Sequence, residues 1–254
     1  MDVARFESDG TPDPTFGGGD GIVITDLNPA EPDAPSDVVI QPDGKIVVVG
    51  SKGLSDGWRF AVARYEADGD ESHSGVARFL ANGDLDAAFS DDGKLITRFG
   101  VVDQASDVAI HPDGGIVIVG RALSTGGTGL DFGVARYRSA GRLDQNFSGD
   151  GLVRTDFKGE GDFAHSVAIE ENGRILVGGY ALANQRSNFA IARYSATGRL
   201  NLSFGNQGRV RTNFGAGVDH YAYDVAIDSV GLVAVGWGTP ILGYDAAVAR
   251  YLLS

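Results

Sequence analysis

The apolar residues of this chain occur in short runs of four or five, separated by turn-forming residues. The clearest example is Ile116–Val119, which follows an alternating segment, Asp107–Ile110, and the turn Pro112–Gly114. Runs rich in Val and Ile and bounded by Gly, Pro and Asp are typical of β-strands. This stretch therefore predicts two strands joined by a tight hairpin, and no part of the chain shows convincing helical periodicity.

The same hairpin occurs four times, at residues 36–50, 106–120, 165–179 and 223–236. Three other motifs repeat with it: V/I-A-R-Y/F, then L-D-x-x-F, then G-x-V-x-T. The first of these begins at Val3, Val62, Val76, Val134, Ile191 and Val248. Each repeat of about 57 residues thus contains four short strands, which we call A (D-V-A-I), B (the Val/Ile run), C (V-A-R-Y) and D (G-x-V-x-T).

The B strands are apolar on both faces, so both faces must be covered by neighbouring units. Four-stranded units of this length that cover one another are the blades of a β-propeller. The sequence therefore predicts an all-β fold, a single β-propeller domain over residues 1–254 made of four-stranded antiparallel blades.

The order of strands also predicts how the ring closes. The chain begins with a D strand, Ile22–Thr25, and ends with strands A, B and C of the fourth repeat, so the early strand is expected to complete the last blade. Two C-type segments are left over, at residues 3–6 and at residues 76–79, where the second duplicates the segment 62–65. We interpret the second as a scar from the loss of one blade.

The four motifs together resemble the bacterial delta-60 repeat, over nearly the whole chain, and are more distantly similar to NHL-type repeats. The resemblance implies a propeller of tandem repeats and a secreted or cell-surface bacterial protein. It supplies no catalytic residues. The fourth repeat departs from the pattern, since Ser229–Gly231 replaces Pro-Asp-Gly and its B strand is shorter.

Charge and composition exclude several classes of function. The net charge of −13 argues against nucleic acid and anionic membranes as partners, because phosphate binding needs clustered Lys and Arg. No apolar run approaches the length of a membrane helix, so membrane insertion is not expected. With no Cys, thiol nucleophiles and Cys-ligated zinc are excluded. The N-terminal residues MDVARFESDG show no signal peptide.

The repeated Arg of V-A-R-Y must find a carboxylate if it is buried. Residues of the A strands, Asp37, Asp107 and Asp224, repeat in step with it and are its expected partners. The third repeat has Ser166 at this position, so Arg193 needs another partner.

The strongest argument about function is positional. In a propeller the A–B and C–D turns lie on one face, and here they are uniform. The D–A and B–C loops lie on the other face, and they vary in length and carry both Trp residues and four of the eight Tyr. Variable loops on a rigid scaffold are where specificity develops. The predicted ligand-binding residues on this face are Trp58, His165, Tyr180, His220, Tyr221, Tyr223, Trp237 and Tyr244.

The favoured hypothesis is a noncatalytic propeller that binds a carbohydrate or a protein partner through this face. One alternative is a lyase or hydrolase in the central channel, with Asp37, Asp107, Asp224 and His165 as acid–base groups or metal ligands. A second alternative is a structural module that assembles into a larger ring, so the chain is expected to be a monomer or a homodimer. His111 replaces Gln41 in the turn motif and is expected to be exposed.

The sequence favours no cofactor and no metal site. Acidic glycine turns such as Ser148–Gly151 resemble calcium loops, but they lack the spaced set of oxygen ligands that Ca²⁺ needs. Plain turns are therefore the preferred interpretation, with Ca²⁺ as the alternative.

Overall fold

The fold is described from a computed structural model of the chain. The described residues are 2–24, 33–54, 57–59, 74–90, 93–97, 103–123, 129–157, 160–215, 217–239 and 244–253. Within these ranges, no helix has the length and apolar character needed to cross a membrane.

The strands form one small sheet and four larger sheets, which we call blades I to IV. The small sheet contains β1 (Asp2–Ala4) and β2 (Ile22–Ile24). Blade I contains β3 (Asp33–Ile40), β4 (Ile46–Leu54), β5 (Gly57–Arg59), β6 (Ser74–Phe79) and β7 (Lys94–Thr97). Blade II contains β8 (Asp103–Ile110), β9 (Ile116–Leu123), β10 (Leu130–Tyr137) and β11 (Leu152–Thr155). Blade III contains β12 (Asp162–Ile169), β13 (Ile175–Ala183), β14 (Arg186–Tyr194) and β15 (Arg209–Thr212). Blade IV contains β16 (His220–Ile227), β17 (Gly231–Gly238) and β18 (Asp245–Leu252).

All strand pairs are antiparallel, and blades II and III follow the predicted order A-B-C-D from one edge to the other. The hairpin between A and B closes where the sequence places it, with Ile110 opposite Ile116 and Ile169 opposite Ile175. The prediction of an all-β propeller made of antiparallel blades is confirmed.

The core lies between blades. Phe147 of the L-D-x-x-F motif is fully buried, and the amide of Ser148 donates to the carbonyl of Thr197 in the next blade at 2.9 Å. The turn above this ring contains Gly198, whose φ is +80° and whose missing Cβ would lie 3.1 Å from the ring. The glycine is therefore required both by the turn and by the aromatic ring of the preceding blade.

The predicted closure of the ring is wrong. The strand expected to complete the last blade, β2, pairs with β1, with Val3 opposite Val23. Blade IV has three strands, and β18 pairs only with β17 in the described part of the chain. The physical reason is that β1 has the V-A-R-F sequence of a C strand, so β2 finds its usual partner within the first 24 residues.

The segment at 76–79, expected to be spare, is the C strand of blade I. It lies in β6, which pairs with β4 on one side and β7 on the other. The other copy, at 62–65, lies outside the described residues. Of the two copies, the one at 76–79 is followed directly by an L-D-x-x-F motif and then by the D strand, as in the other repeats.

Where the structure describes them, the Arg residues of V-A-R-Y bind acids other than those of the A strands, so that prediction is also wrong. Arg136 binds Asp113 of the A–B turn, and its Nε lies 3.6 Å from Asp144 of the L-D-x-x-F motif. Its Nη1 also donates to the carbonyl of Ala196 in the next blade at 2.6 Å. Strand register explains this, because Arg136 lies opposite Val117, close to the A–B turn, whereas Asp107 lies opposite Val119.

The other blades repeat this arrangement with changes. Arg193 takes Glu170 of its own A–B turn, at 2.8 Å, in agreement with the expectation that it needs a different partner. Arg250 pairs with Asp228 at 2.7 Å. His111, expected to be exposed, is 7% exposed, because its ring bonds to Asp113 and to the carbonyl of Gly173 in the next blade. Arg64 lies outside the described residues.

Candidate ligand-binding site

The site is built on the start of the A strands and the end of the B strands. Each A strand contains a β-bulge one residue before its Asp or Ser, at Ser106, His165 and Tyr223 in blades II to IV. The bulge presses the A strand against its neighbour, so the opposing B-strand residue in blade III is Gly179, whose Cβ would lie 1.9 Å from the carbonyl oxygen of Phe163. Bulges of this kind redirect side chains near functional sites.

Two side chains flank this glycine in each blade. They are Gln104 and Arg121 in blade II, Phe163 and Tyr180 in blade III, and Tyr221 and Trp237 in blade IV. The same backbone positions therefore carry polar residues in blade II and aromatic residues in blades III and IV. The face that carries the D–A and B–C loops is therefore aromatic at blades III and IV and polar at blade II.

The aromatic side chains form one continuous set of ring contacts, which we call the aromatic run. Within blade III, Phe163 stacks on Tyr180 with ring centroids 4.7 Å apart. Tyr180 meets the edge of Tyr221 at 4.7 Å, and Tyr221 lies 4.6 Å from Trp237, so the run crosses from blade III to blade IV. Its members are Phe163, His165, Tyr180, Tyr221, Tyr223, Trp237 and Tyr244.

The run is accessible at one end and adjoins a depression at the other. Tyr223 is 45% exposed and Tyr244 is 75% exposed. The depression has a volume of about 410 Å³ and is lined by Phe163, Tyr180 and Tyr221 from the run. Leucines and two polar residues, Glu160 and Ser187, complete its wall. The volume falls within the range of small-molecule sites, and the lining is mostly apolar with a few polar groups, as is usual for such sites.

His165 is the titratable member of the run. Its ring packs between Tyr180, at 5.4 Å, and Tyr223, at 4.9 Å. Burial, and then the nearby Arg121 guanidinium, lower the pKa of His165 to about 4. The imidazole is therefore neutral at physiological pH, where it extends the aromatic surface and carries no charge. Arg121 itself lies over the ring of Phe163, 5.6 Å from its centroid.

The A-strand acids form a separate line between blades. Asp37 accepts a hydrogen bond from the amide of Val108 at 3.1 Å, and Asp107 accepts one from the amide of Val167 at 2.7 Å. Burial, and then the adjacent carboxyl of Asp37, raise the pKa of Asp107 to about 7. In the third blade the line continues with Ser166, whose hydroxyl donates to Asp224 at 2.8 Å. These contacts tie each blade to the next.

One group of three carboxylates in the described residues could hold a metal ion. Asp131, Asp156 and Asp162 each place a carboxylate oxygen within 4.8 Å of the others, where blade II meets blade III. Burial raises the pKa of Asp162 to about 6, and the amide of Phe157 donates to this carboxyl at 2.7 Å. The next blade has Asn188, Asn213 and His220 at the corresponding positions, so the acidic set is not part of the repeat.

The structure brings together six of the eight predicted site residues: His165, Tyr180, Tyr221, Tyr223, Trp237 and Tyr244. His220 is buried against Phe214, at 5.1 Å between ring centroids, apart from the run. The backbone of Trp58 lies in β5, opposite Gly53, and its side chain lies outside the described residues. Sequence reasoning missed Phe163 and Arg121, although both stand at the repeat position of Tyr221 or Trp237 and an alignment of the repeats would have found them.

The architecture and the repeats define a β-propeller repeat protein. Four segments, residues 2–16, 41–70, 111–147 and 170–204, match the family described as "Domain of unknown function (DUF5122) beta-propeller". No curated protein matches the chain.

Two solved structures are similar to the chain. One is a gluconolactonase from Xanthomonas campestris, 13% identical, with a TM-score of 0.46 over 92% of this chain. The chain spans 61% of the length of that enzyme. The other is an endo-arabinase from Bacteroides thetaiotaomicron, 8% identical, with a TM-score of 0.36 over 90% of this chain and 96% of the arabinase. At these identities and TM-scores the activities of the two enzymes do not transfer to the chain.

Proposed function

We propose that the protein is a noncatalytic carbohydrate-binding propeller that holds a sugar on the aromatic run and in the adjoining depression. The observation that carries the proposal is the unbroken sequence of ring contacts from Phe163 to Tyr244. The apolar faces of sugar rings stack on aromatic side chains, and the hydroxyl groups of the sugar can bond to Glu160 and Ser187 at the wall.

The shape of the site supports a small ligand. A depression of about 410 Å³ accommodates a mono- or disaccharide, and the exposed rings of Tyr223 and Tyr244 extend the contact area beyond it. A neutral His165 agrees with a ligand that carries no charge. A protein partner would be expected on a broader and flatter surface.

Binding is tested with a glycan array followed by calorimetry on the best ligand. We expect Tyr180→Ala and Tyr221→Ala each to weaken binding at least tenfold, since each removes a ring from the wall of the depression. Phe214→Ala is the matched control, because Phe214 is 41% exposed on the same side of blade III but outside the run. Binding to no glycan, equal affinity in the wall variants, or capture of a protein partner in place of a sugar would contradict the proposal.

The channel-enzyme alternative has less support. Its acids, Asp37, Asp107 and Asp224, already accept hydrogen bonds between blades or from their own strand, and His165 contributes to the aromatic run. The narrower kinship with the delta-60 repeat, and the secreted or cell-surface location that it implies, stay proposals on the motifs alone.

A further inference from the structure

Large exposed apolar side chains are concentrated at the two ends of the row of blades. At the beginning they lie in the small sheet and in β3, and at the end they lie in blade IV. The described residues of blade II contribute none. Apart from the two exposed tyrosines of the aromatic run, the two groups are Phe6, Ile22, Ile24, Val38 and Ile40 at the beginning, and Val230, Val235, Val248 and Leu252 at the end.

The face of β3 lacks the blade that covers the corresponding face elsewhere. Val38 is 54% exposed, whereas the equivalent residues Val108 and Val167 are 5% and 8% exposed. Val108 is covered by the B strand of the preceding blade, where Val47 and Val49 pack against it. The exposed face of β3 therefore has the shape and the residues that receive a B strand.

Blade IV shows the reverse. Val248 is 62% exposed, although its equivalents Val134 and Ile191 are fully buried. In blade II, Val134 is covered by the next blade, in one cluster with Val167. The exposed face of blade IV therefore has the residues that receive an A strand.

Blade IV also lacks, in the described residues, the interblade hydrogen bond that the Arg of the C strand makes in other blades. Arg78 and Arg136 each donate to a backbone carbonyl of the following blade, those of Ser139 and Ala196. Arg250 holds the same position in blade IV, but its side chain is 54% exposed. Its interblade contact requires another blade.

Blade IV has no fourth strand among the described residues, and β2 is a strand of the type that would complete it. The D strand β2 pairs with β1 in the register of a C–D pair, since Val3 opposes Val23 as Val134 opposes Val153. In every repeat the D strand of one blade leads into the A strand of the next, and β2 likewise leads into β3. β2 and β3 thus have the order and register of the D and A strands that would follow strand C of blade IV.

We propose that the two ends form an interface between two copies of this chain. In the dimer, β18 of one copy takes the place of β1 beside β2 of its partner, and blade IV packs on the partner's β3. Two copies of four blades then form one ring of eight, with the two-fold axis along the channel. Both junctions are identical, so the assembly closes under two-fold symmetry. The displaced β1 gives up its pairing with β2, and Arg5 gives up its bonds to Asp13 and to the carbonyl of Ala81.

Sedimentation of the full chain tests the proposal. We expect a mass twice the 26.5 kDa of the chain at micromolar concentration. Val38→Asp and Val248→Asp should each give monomers with unchanged circular dichroism, because both side chains are exposed within one copy. Leu202→Asp is the control, since this residue is 72% exposed but lies in the C–D turn of blade III, and it should leave the dimer intact.

A designed disulfide identifies the partner of β18. The chain has no Cys, so Val23→Cys with Val248→Cys introduces the only thiols, at positions that oppose each other in the proposed register. Oxidation should give a covalent dimer, whereas Val23→Cys with Leu202→Cys should give none. A wild-type monomer, or a disulfide formed within one chain, would overturn the proposal, and the second result would indicate that the chain closes on itself.

Discussion

At the scale of single residues, the inner strands show how one substitution in a repeat changes the electrostatics of a junction. Asp107 lies beside the carboxyl of Asp37, whereas Asp224 lies beside the hydroxyl of Ser166. Two neighbouring carboxyl groups disfavour full ionisation, while a hydroxyl group stabilises the charge. The stability of the junction between blades I and II is therefore sensitive to pH in the neutral range. The junction between blades III and IV has no such pair of carboxyl groups at this position.

The variant Asp37→Asn tests this difference. Because the folded-state pKa of Asp107 is raised to about 7, its contribution to stability is present below about pH 4 and is lost as the pH rises to about 7. An Asn at position 37 can still accept from Val108, and it can donate to the ionised Asp107. We expect the free energy of unfolding at pH 8 to rise by about 1–2 kcal/mol, with little change at pH 4.

Urea unfolding at several pH values measures the effect. Asp224→Asn is the matched control, because its neighbour Ser166 already donates to the carboxylate. A gain at pH 8 of equal size in both variants would show that the paired carboxyl groups are not its cause.

Individual residues also show what a sequence can predict about the site. Tyr180, Tyr221 and Trp237 could be assigned to one face because the loop positions follow from strand order alone. Burial of His111 and His220 could not be predicted, since it depends on contacts with the next blade and with Phe214. A single sequence shows the position of a residue in its repeat but not the neighbour that covers it.

At the scale of elements, the Arg of the C strand links its own blade to the next one. Arg136 is 6% exposed and bonds to an acid of its own A–B turn and to a carbonyl of the next blade. The sequence predicted that this Arg lies in a half-buried strand and pairs with a carboxylate, but it predicted the wrong partner. The partner depends on register, which places Arg136 beside Val117 near the turn, and register could not be read from the motif spacing.

Replacement of this Arg should therefore depend strongly on the blade. Arg136→Met removes a buried guanidinium that lies 3.6 Å from Asp144 and donates to the carbonyl of Ala196, while Asp144 keeps the exposed Arg138 at 3.3 Å. We therefore expect a loss of about 2–3 kcal/mol in the free energy of unfolding. Arg250→Met removes an exposed pair with Asp228 and should cost less than about 1 kcal/mol.

Chemical denaturation of the two variants at pH 7 measures these losses. The comparison should be made in the Val38→Asp background in both, so that assembly does not contribute through Arg250 and no new carboxylate lies beside either Arg. Equal losses would mean that burial of the Arg at an interblade junction adds nothing to its role.

At the scale of the whole molecule, the sequence predicted the class of fold but not the way its ends are used. Repeats that are apolar on both faces required stacking, and the stacked blades confirm this. Ring closure was predicted from the order of the strands, with β18 as the neighbour of β2. In the structure β2 pairs with β1 instead. Both β1 and β18 have the sequence of a C strand, so the sequence alone does not show which of them pairs with β2. The extent of the single domain stays a prediction.

An array of blades in which each contacts its neighbours should unfold locally when one junction is weakened. Phe147 fills the junction between blades II and III and is fully buried, so Phe147→Ala should cost about 3–5 kcal/mol there. Hydrogen exchange should accelerate in β10 and β14, which flank the cavity, while the amides of β4 in blade I keep their protection. Leu202→Ala, at a side chain that is 72% exposed in the C–D turn of blade III, should change neither region. Equal acceleration in all blades would mean that the molecule opens as one cooperative unit, and the description of its stability as a sum of junctions between neighbouring blades would then be wrong.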